Sequence, residues 1–212
     1  MGAVIAAFYA KGYTGEQMHK IVQECNYLSL LDFDLTAGIL KGEKVMRFFA
    51  EHLGDIRFED LEIPLSVVAT DIDTGEKVVL RTGKVIEALR ASVSVPGAFA
   101  PYRLHDRNLV DGGLVENLPI EELPEGDVIA ISVQIPLAKK YQKKQNAAKS
   151  WLFPNGHIFQ NSYEMFRKTI DIMIDRNEQI SLASRKHIVH IRAEREDIDY
   201  PDFGKAEEII AE

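Results

Sequence analysis

The chain opens on Gly2-Ala3-Val4-Ile5-Ala6-Ala7-Phe8-Tyr9-Ala10, a run without a single charge, closed by Lys11-Gly12. A helix that is apolar nearly all round is stable only when other elements enclose it. The pattern therefore predicts a buried first helix, with Gly2 and Ala3 letting its first turn approach another backbone closely. It has no N-cap residue and no strand ahead of it, so an upstream element is expected to be missing.

The segments that follow alternate in period. Thr14-Gly15-Glu16-Gln17 reads as a cap, and Met18, Ile21, Val22 and Cys25 recur at helical spacing behind it. Asn26 to Leu40 is irregular, with Gly38 and Gly42 as breaks. Lys44 to Leu53 is a helix with Val45, Phe48, Phe49 and Leu53 on one face. Ile63 to Thr70 is a β-branched run suited to a buried strand. Asp71 to Gly75 is a turn, Glu76 to Arg81 a partner strand, and Lys84 to Ala91 a helix. Ser92 to Tyr102 is a loop held by Pro96, Gly97 and Pro101, and His105 to Asn108 reads as a hairpin tip. Asp127 to Ile135 is the strongest strand of all. About Gln160 to Arg185 is a long helix with Phe166, Ile170, Met173, Ile174 and Ile180 inward. His187 to Ile191 is a last strand, and Glu194 to Glu212 an acidic, peripheral end. Alternating helices and strongly apolar strands indicate an α/β fold with a covered sheet.

Composition narrows the function. A chain of 212 residues is expected to form one domain, residues 1–212. Its formal charge of −8 lacks the basic footprint of a nucleic-acid binder. The single cysteine, Cys25, rules out an internal disulfide and a cysteine metal cluster, and it suits a reducing compartment. No run reaches the roughly 18–20 apolar residues of a membrane span. The expected location is cytoplasmic, at most peripheral to a membrane.

The candidate for chemistry is Asn108-Leu109-Val110-Asp111-Gly112-Gly113-Leu114-Val115-Glu116-Asn117-Leu118-Pro119. A short apolar strand delivers one carboxylate, Asp111, onto two glycines, which allow a tight turn and leave room beside it. Taken alone, Asp-Gly-Gly reads first as an ordinary turn. Three other stretches bear on the choice: Met1 to Tyr13, Ala69-Thr70-Asp71-Ile72-Asp73-Thr74-Gly75-Glu76, and Ala88-Leu89-Arg90-Ala91-Ser92-Val93-Ser94-Val95-Pro96-Gly97-Ala98-Phe99. With Asp111-Gly112-Gly113, they resemble in order and spacing the bacterial patatin-like phospholipases, or acyl hydrolases. They match the helix after the nucleophile, the middle hairpin, the Ala-Ser-x-x-x-Pro loop and the Asp-Gly-Gly of that family.

The resemblance implies a three-layer α/β sandwich with a mostly parallel central sheet, here lacking its N-terminal strands. It also implies a Ser–Asp dyad: a serine in a Gly-x-Ser-x-Gly turn attacks an ester, and the aspartate takes its proton directly. Asp111 matches that general base; Gly2, Gly112, Gly113 and Asn117 are supporting positions. In the family's frame Met1-Gly2 would end the Gly-x-Ser-x-Gly turn, so the serine falls one residue before Met1. None of the chain's own serines stands in such a frame, nor is the family's glycine-rich oxyanion loop present. The chain by itself is expected to be inactive. A gap in a sheet also leaves unpaired backbone groups, so a homo-oligomer that covers it is expected.

Other candidates are weaker. His187 and His190 would face opposite sides of a strand and cannot readily share a metal. Asp71 and Asp73 fit a plain turn, with no full calcium loop behind them. No metal and no cofactor is expected. Lys139, Lys140, Lys143 and Lys144 read either as a solvated loop or as a flap on anionic lipid, with Trp151 and Phe153 as anchors. Two functions result: a serine acyl hydrolase acting on lipid or small esters, and a non-catalytic pseudoenzyme or interaction module with the same fold.

Overall fold

The computed structural model describes residues 1–33, 40–133, 137 and 157–192. Where the sequence leads us to expect one domain, these residues fall into two compact units, one running to Gly113 and one beginning at Leu114.

The first unit carries helices α1 (Gly2–Ala10), α2 (Gly15–Glu24), α3 (Glu43–Leu53) and α4 (Val85–Ser92). Its sheet contains β1 (Val67–Asp71), β2 (Lys77–Leu80), β3 (Tyr102–Leu104) and β4 (Arg107–Asp111), in the order β2-β1-β4-β3. Local chemistry sets the element ends. Thr14 Oγ1 accepts the Gln17 N–H at 3.3 Å, and Gln17 Oε1 accepts the Thr14 N–H at 2.8 Å, a reciprocal box that starts α2. β1 is buried along its whole length, as a central strand of Val-Val-Ala-Thr-Asp should be. The β3–β4 hairpin turns on His105 (φ 48°) and Asp106 (φ 60°), two left-handed residues that match the twist of the strands.

Every pair in this sheet is antiparallel, with Val67 opposite Leu80, Ala69 opposite Asp111 and Tyr102 opposite Leu109. The mostly parallel central sheet expected from the resemblance is therefore not what β1–β4 form. The turn from β1 to β2 and the tip at His105-Asp106 are too short for the crossover that a parallel return requires. The α/β class itself stands. Phe8, Phe49, Leu53, Phe58, Val67 and Leu89 pack as one apolar core between helices and sheet.

α1 occupies the residues expected, but it is not enclosed on every side. Ala7, Phe8 and Ala10 are buried, whereas Met1 (71%), Ile5 (45%) and Tyr9 (59%) form an exposed stripe at helical spacing. Nor does the small-residue start meet a neighbouring backbone. A Cβ on Gly2 would have no atom within 4 Å.

The second unit pairs β5 (Val128–Ser132) with β6 (Ile188–Arg192) in parallel, Val128 opposite Ile188 through Ser132 opposite Arg192. Helix α5 (His157–Ala183) supplies Leu182 to a small core of Leu118, Ile120, Val128 and Ala130. The inward face of α5 is only partly the one expected: Ile170 and Ile174 are half-buried, Phe166, Met173 and Ile180 are exposed, and Asp171, Glu178 and Ser181 are buried. An ion pair and a hydroxyl meet the buried Glu178 carboxylate. Arg192 Nη2 lies 2.6 Å from Glu178 Oε1, and the Ser132 hydroxyl lies 3.0 Å from both oxygens of that carboxylate. Among the described residues no helix is long and apolar enough to cross a membrane.

Among the described glycines of the first unit, the tightest against backbone lies just beyond β4, where an ideal Cβ on Gly112 would stand 2.2 Å from the Val68 carbonyl oxygen and 2.6 Å from its carbon. Gly112→Ala should lower stability by about 1–3 kcal/mol, because backbone rather than a side-chain tip must give way. Urea unfolding followed by circular dichroism measures it, and an unchanged midpoint would refute the close packing.

Candidate functional site

Asp111 is the last residue of β4 and is held through its backbone N–H, its backbone carbonyl and one carboxylate oxygen. Its N–H donates to the Ser94 carbonyl at 3.0 Å, and its carbonyl accepts the Thr70 hydroxyl at 2.9 Å. The side chain folds back so that Oδ1 accepts the Gly113 N–H at 2.8 Å. Gly112 makes that turn possible by lying flat against β1, where no side chain fits. The adjacent core of Ala69, Ala91 and Leu109 is fully apolar.

A carboxylate in such surroundings is poorly solvated. Burial pushes the Asp111 carboxyl above its usual range, while the Gly113 N–H and the Met1 ammonium pull it the other way. The ammonium is informative in itself, since it acts on Asp111 only because the first residue of α1 lies within electrostatic reach. Asp111, Gly112, Gly113 and the Met1 end of α1 therefore share one neighbourhood within the first unit. A raised carboxyl that is ionised at neutral pH is a stronger proton acceptor than a free aspartate.

Of the other expected positions, Gly2 stands at that same end of α1, with open space around it. Asn117 belongs to the second unit, where its Nδ2 donates to Glu178 Oε2 at 3.2 Å. Asp71 and Asp73 close a turn: Asp71 Oδ1 accepts the Asp73 N–H at 3.0 Å and Asp73 Oδ2 accepts the Asn108 amide at 2.7 Å. Lys139, Lys140, Lys143, Lys144, Trp151 and Phe153 lie outside the described residues. Sequence reasoning passed over Arg90, which is 2% exposed on α4, and Ser94, which is 0% exposed beside it. The signal was present, because an arginine on the apolar face of a short helix is a mismatch that needs buried partners.

With this geometry in view, comparison with known proteins is specific. The patatin-like phospholipase family matches residues 1–124. An NTE family protein of Mycobacterium tuberculosis is 37% identical over 123 residues, covering 57% of this chain and 34% of its own length. The YqhO protein of Bacillus subtilis is 28% identical over 219 residues, covering 87% of this chain and 71% of its own. A lysophospholipase of Yarrowia lipolytica is 27% identical over 143 residues, 64% of this chain and 10% of that protein. The chain belongs to the patatin-like phospholipase family. It spans about a third of the length of that mycobacterial relative.

The raised carboxyl makes a prediction with a definite sign. The native state holds the Asp111 proton more tightly than the unfolded chain does, so stability falls as pH rises from about 4, the free aspartate value, through the folded value. Asp111→Asn keeps an acceptor for the Gly113 N–H and removes the half-buried charge. It should raise the melting temperature at pH 7, with the gain shrinking as pH falls toward about 4. Melting curves across that range check this; a variant less stable than the parent at pH 7 would contradict it.

Proposed function

We propose that this chain carries the general base of a serine acyl hydrolase acting on lipid or small carboxylic esters, and that Asp111 is that base. The observation that carries the reading is a half-buried carboxylate on a glycine turn, within electrostatic reach of the Met1 end of α1. In the family's frame the nucleophilic serine is the residue ahead of Met1, so its hydroxyl would belong in that same neighbourhood. The serine oxygen would attack the ester carbonyl while its proton passes to Asp111. That proton then goes to the departing alcohol, leaving an acyl-serine. A water, deprotonated by Asp111, would release the acid and restore the serine.

The alternative, a non-catalytic member of the family, is favoured by one fact: none of the chain's own serines stands in a Gly-x-Ser-x-Gly frame. A fluorophosphonate probe separates the two when given to protein expressed with the reading frame ahead of Met1. The hydrolase reading expects covalent labelling of the serine before Met1 and turnover of a short-chain aryl ester. Asp111→Asn should reduce that turnover about 10²–10⁴-fold. Labelling that fails in a folded protein, or an active Asp111→Asn variant, sinks it. Because the Met1 ammonium becomes a neutral amide in the extended chain, one influence that lowers the Asp111 carboxyl is lost. The acid limb of kcat/KM should then lie above the ordinary aspartate range.

The same reading sets the protein in the cytoplasm, touching a membrane face through Lys139, Lys140, Lys143, Lys144 and Trp151. Each lysine near anionic lipid contributes about 1 kcal/mol. Replacing the four lysines by serine should weaken binding to phosphatidylserine vesicles by at least tenfold, and an unchanged affinity would remove the membrane contact from the proposal.

A further inference from the structure

Arg90 sits among Val85, Ala88, Leu89 and Ala91 on α4, all of them buried. Its guanidinium donates to the Ser94 hydroxyl and to the carbonyls of Lys41 and Ala100, the last at 3.1 Å. The rings of Phe99 and Tyr102 lie with their centroids 5.5 Å from its Cζ. Asp32 acts on it from a distance, its own oxygens being taken up by the N–H groups of Gly42 at 2.8 Å and Lys44 at 3.1 Å. Gly42, at φ 77°, leaves the space that the guanidinium fills: a Cβ there would stand 2.3 Å from Arg90 Nε.

These contacts join the residues around Lys41 to the loop that begins at Ser94. The Ser94 hydroxyl donates back to the Arg90 carbonyl at 2.7 Å, and the Ser94 carbonyl takes the Asp111 N–H at 3.0 Å. We infer that Arg90 is a positioning residue for Asp111: its guanidinium locks Ser94, and Ser94 fixes where the end of β4 delivers the carboxylate. The planar fork is what the task needs. It reaches three separate acceptors at set angles, whereas a lysine ammonium on a flexible stem would hold at most part of the set. The functional weight of the clamp rests on Asp111 being the base, while the clamp itself can be measured without any ester.

Amide hydrogen exchange and carboxyl carbon shifts, followed by NMR on the 212-residue chain, test it. Arg90→Lys keeps the charge and loses the fork. Gly42→Ala keeps Arg90 and crowds the guanidinium out of its place. Both should speed exchange of the Asp111 amide at least tenfold while the amides of β1 and β2 keep their protection. The Asp111 carboxyl titration should move down toward that of a free aspartate as water reaches it. Unchanged Asp111 exchange in a folded Arg90→Lys protein overturns the inference. So does an equal acceleration of every amide, which would mean that Arg90 only stabilises the unit. Should Arg90→Lys not fold, Ser94→Ala, which removes the hydroxyl and keeps the carbonyl, decides by the same criteria. Where the serine-bearing chain proves active, Arg90→Lys should lower kcat with KM unchanged. Loss of Asp111 protection without serine labelling would leave the clamp standing and remove the hydrolase.

Discussion

The first unit depends on how closely β4 can leave the sheet past β1. With the Gly112 backbone against the Val68 carbonyl there is no room for a side chain, so β4 turns at once and Asp111 stays beside the apolar interior. Each backbone group of Asp111 then has a partner from a different segment, Ser94 for the N–H and Thr70 for the carbonyl. The carboxylate receives one backbone N–H and little water. A well-supplied carboxylate accepts several such bonds and loses basicity. This one accepts a single backbone N–H, and burial holds its carboxyl above the usual range.

Both units contain a buried charge, and they satisfy it by opposite means. Arg90 is held by neutral oxygens and two aromatic rings, so its charge is spread over dipoles and ring faces. Glu178 is met by Arg192, the Ser132 hydroxyl and the Asn117 amide, a charged pair supplemented by neutral donors. Removing one partner from such a set leaves a buried charge uncompensated, which costs more than the intact pair contributes. The Glu178 set also explains why α5 turns a polar stripe inward, although its apolar residues would form a better core by pattern alone.

Much of the local structure was legible beforehand. The capping box of Thr14 and Gln17, the β-branched core of β1, the hairpin tip at His105-Asp106 and the extent of α1 all follow from interactions within a few residues. The resemblance implies parallel pairing, which β5 and β6 adopt, but it did not make the antiparallel β1–β4 sheet legible, because direction there depends on the length of the returns rather than on the strands. The exposed stripe Met1, Ile5 and Tyr9 escaped for a related reason: apolar composition states what burial would favour, not which faces have neighbours.

The sequence by itself determined most of the elements, the turn at Asp111-Gly112-Gly113 and the family, since these rest on short-range spacing and on residue types that few others can replace. Only the tertiary structure decided that burial outweighs the pull of Gly113 and Met1 on the Asp111 carboxyl, that Arg90 and Ser94 stand behind it, and that Asn117 serves Glu178 instead. Desolvation and hydrogen-bond partners come from chain segments tens of residues apart, and no local pattern encodes which of them will meet.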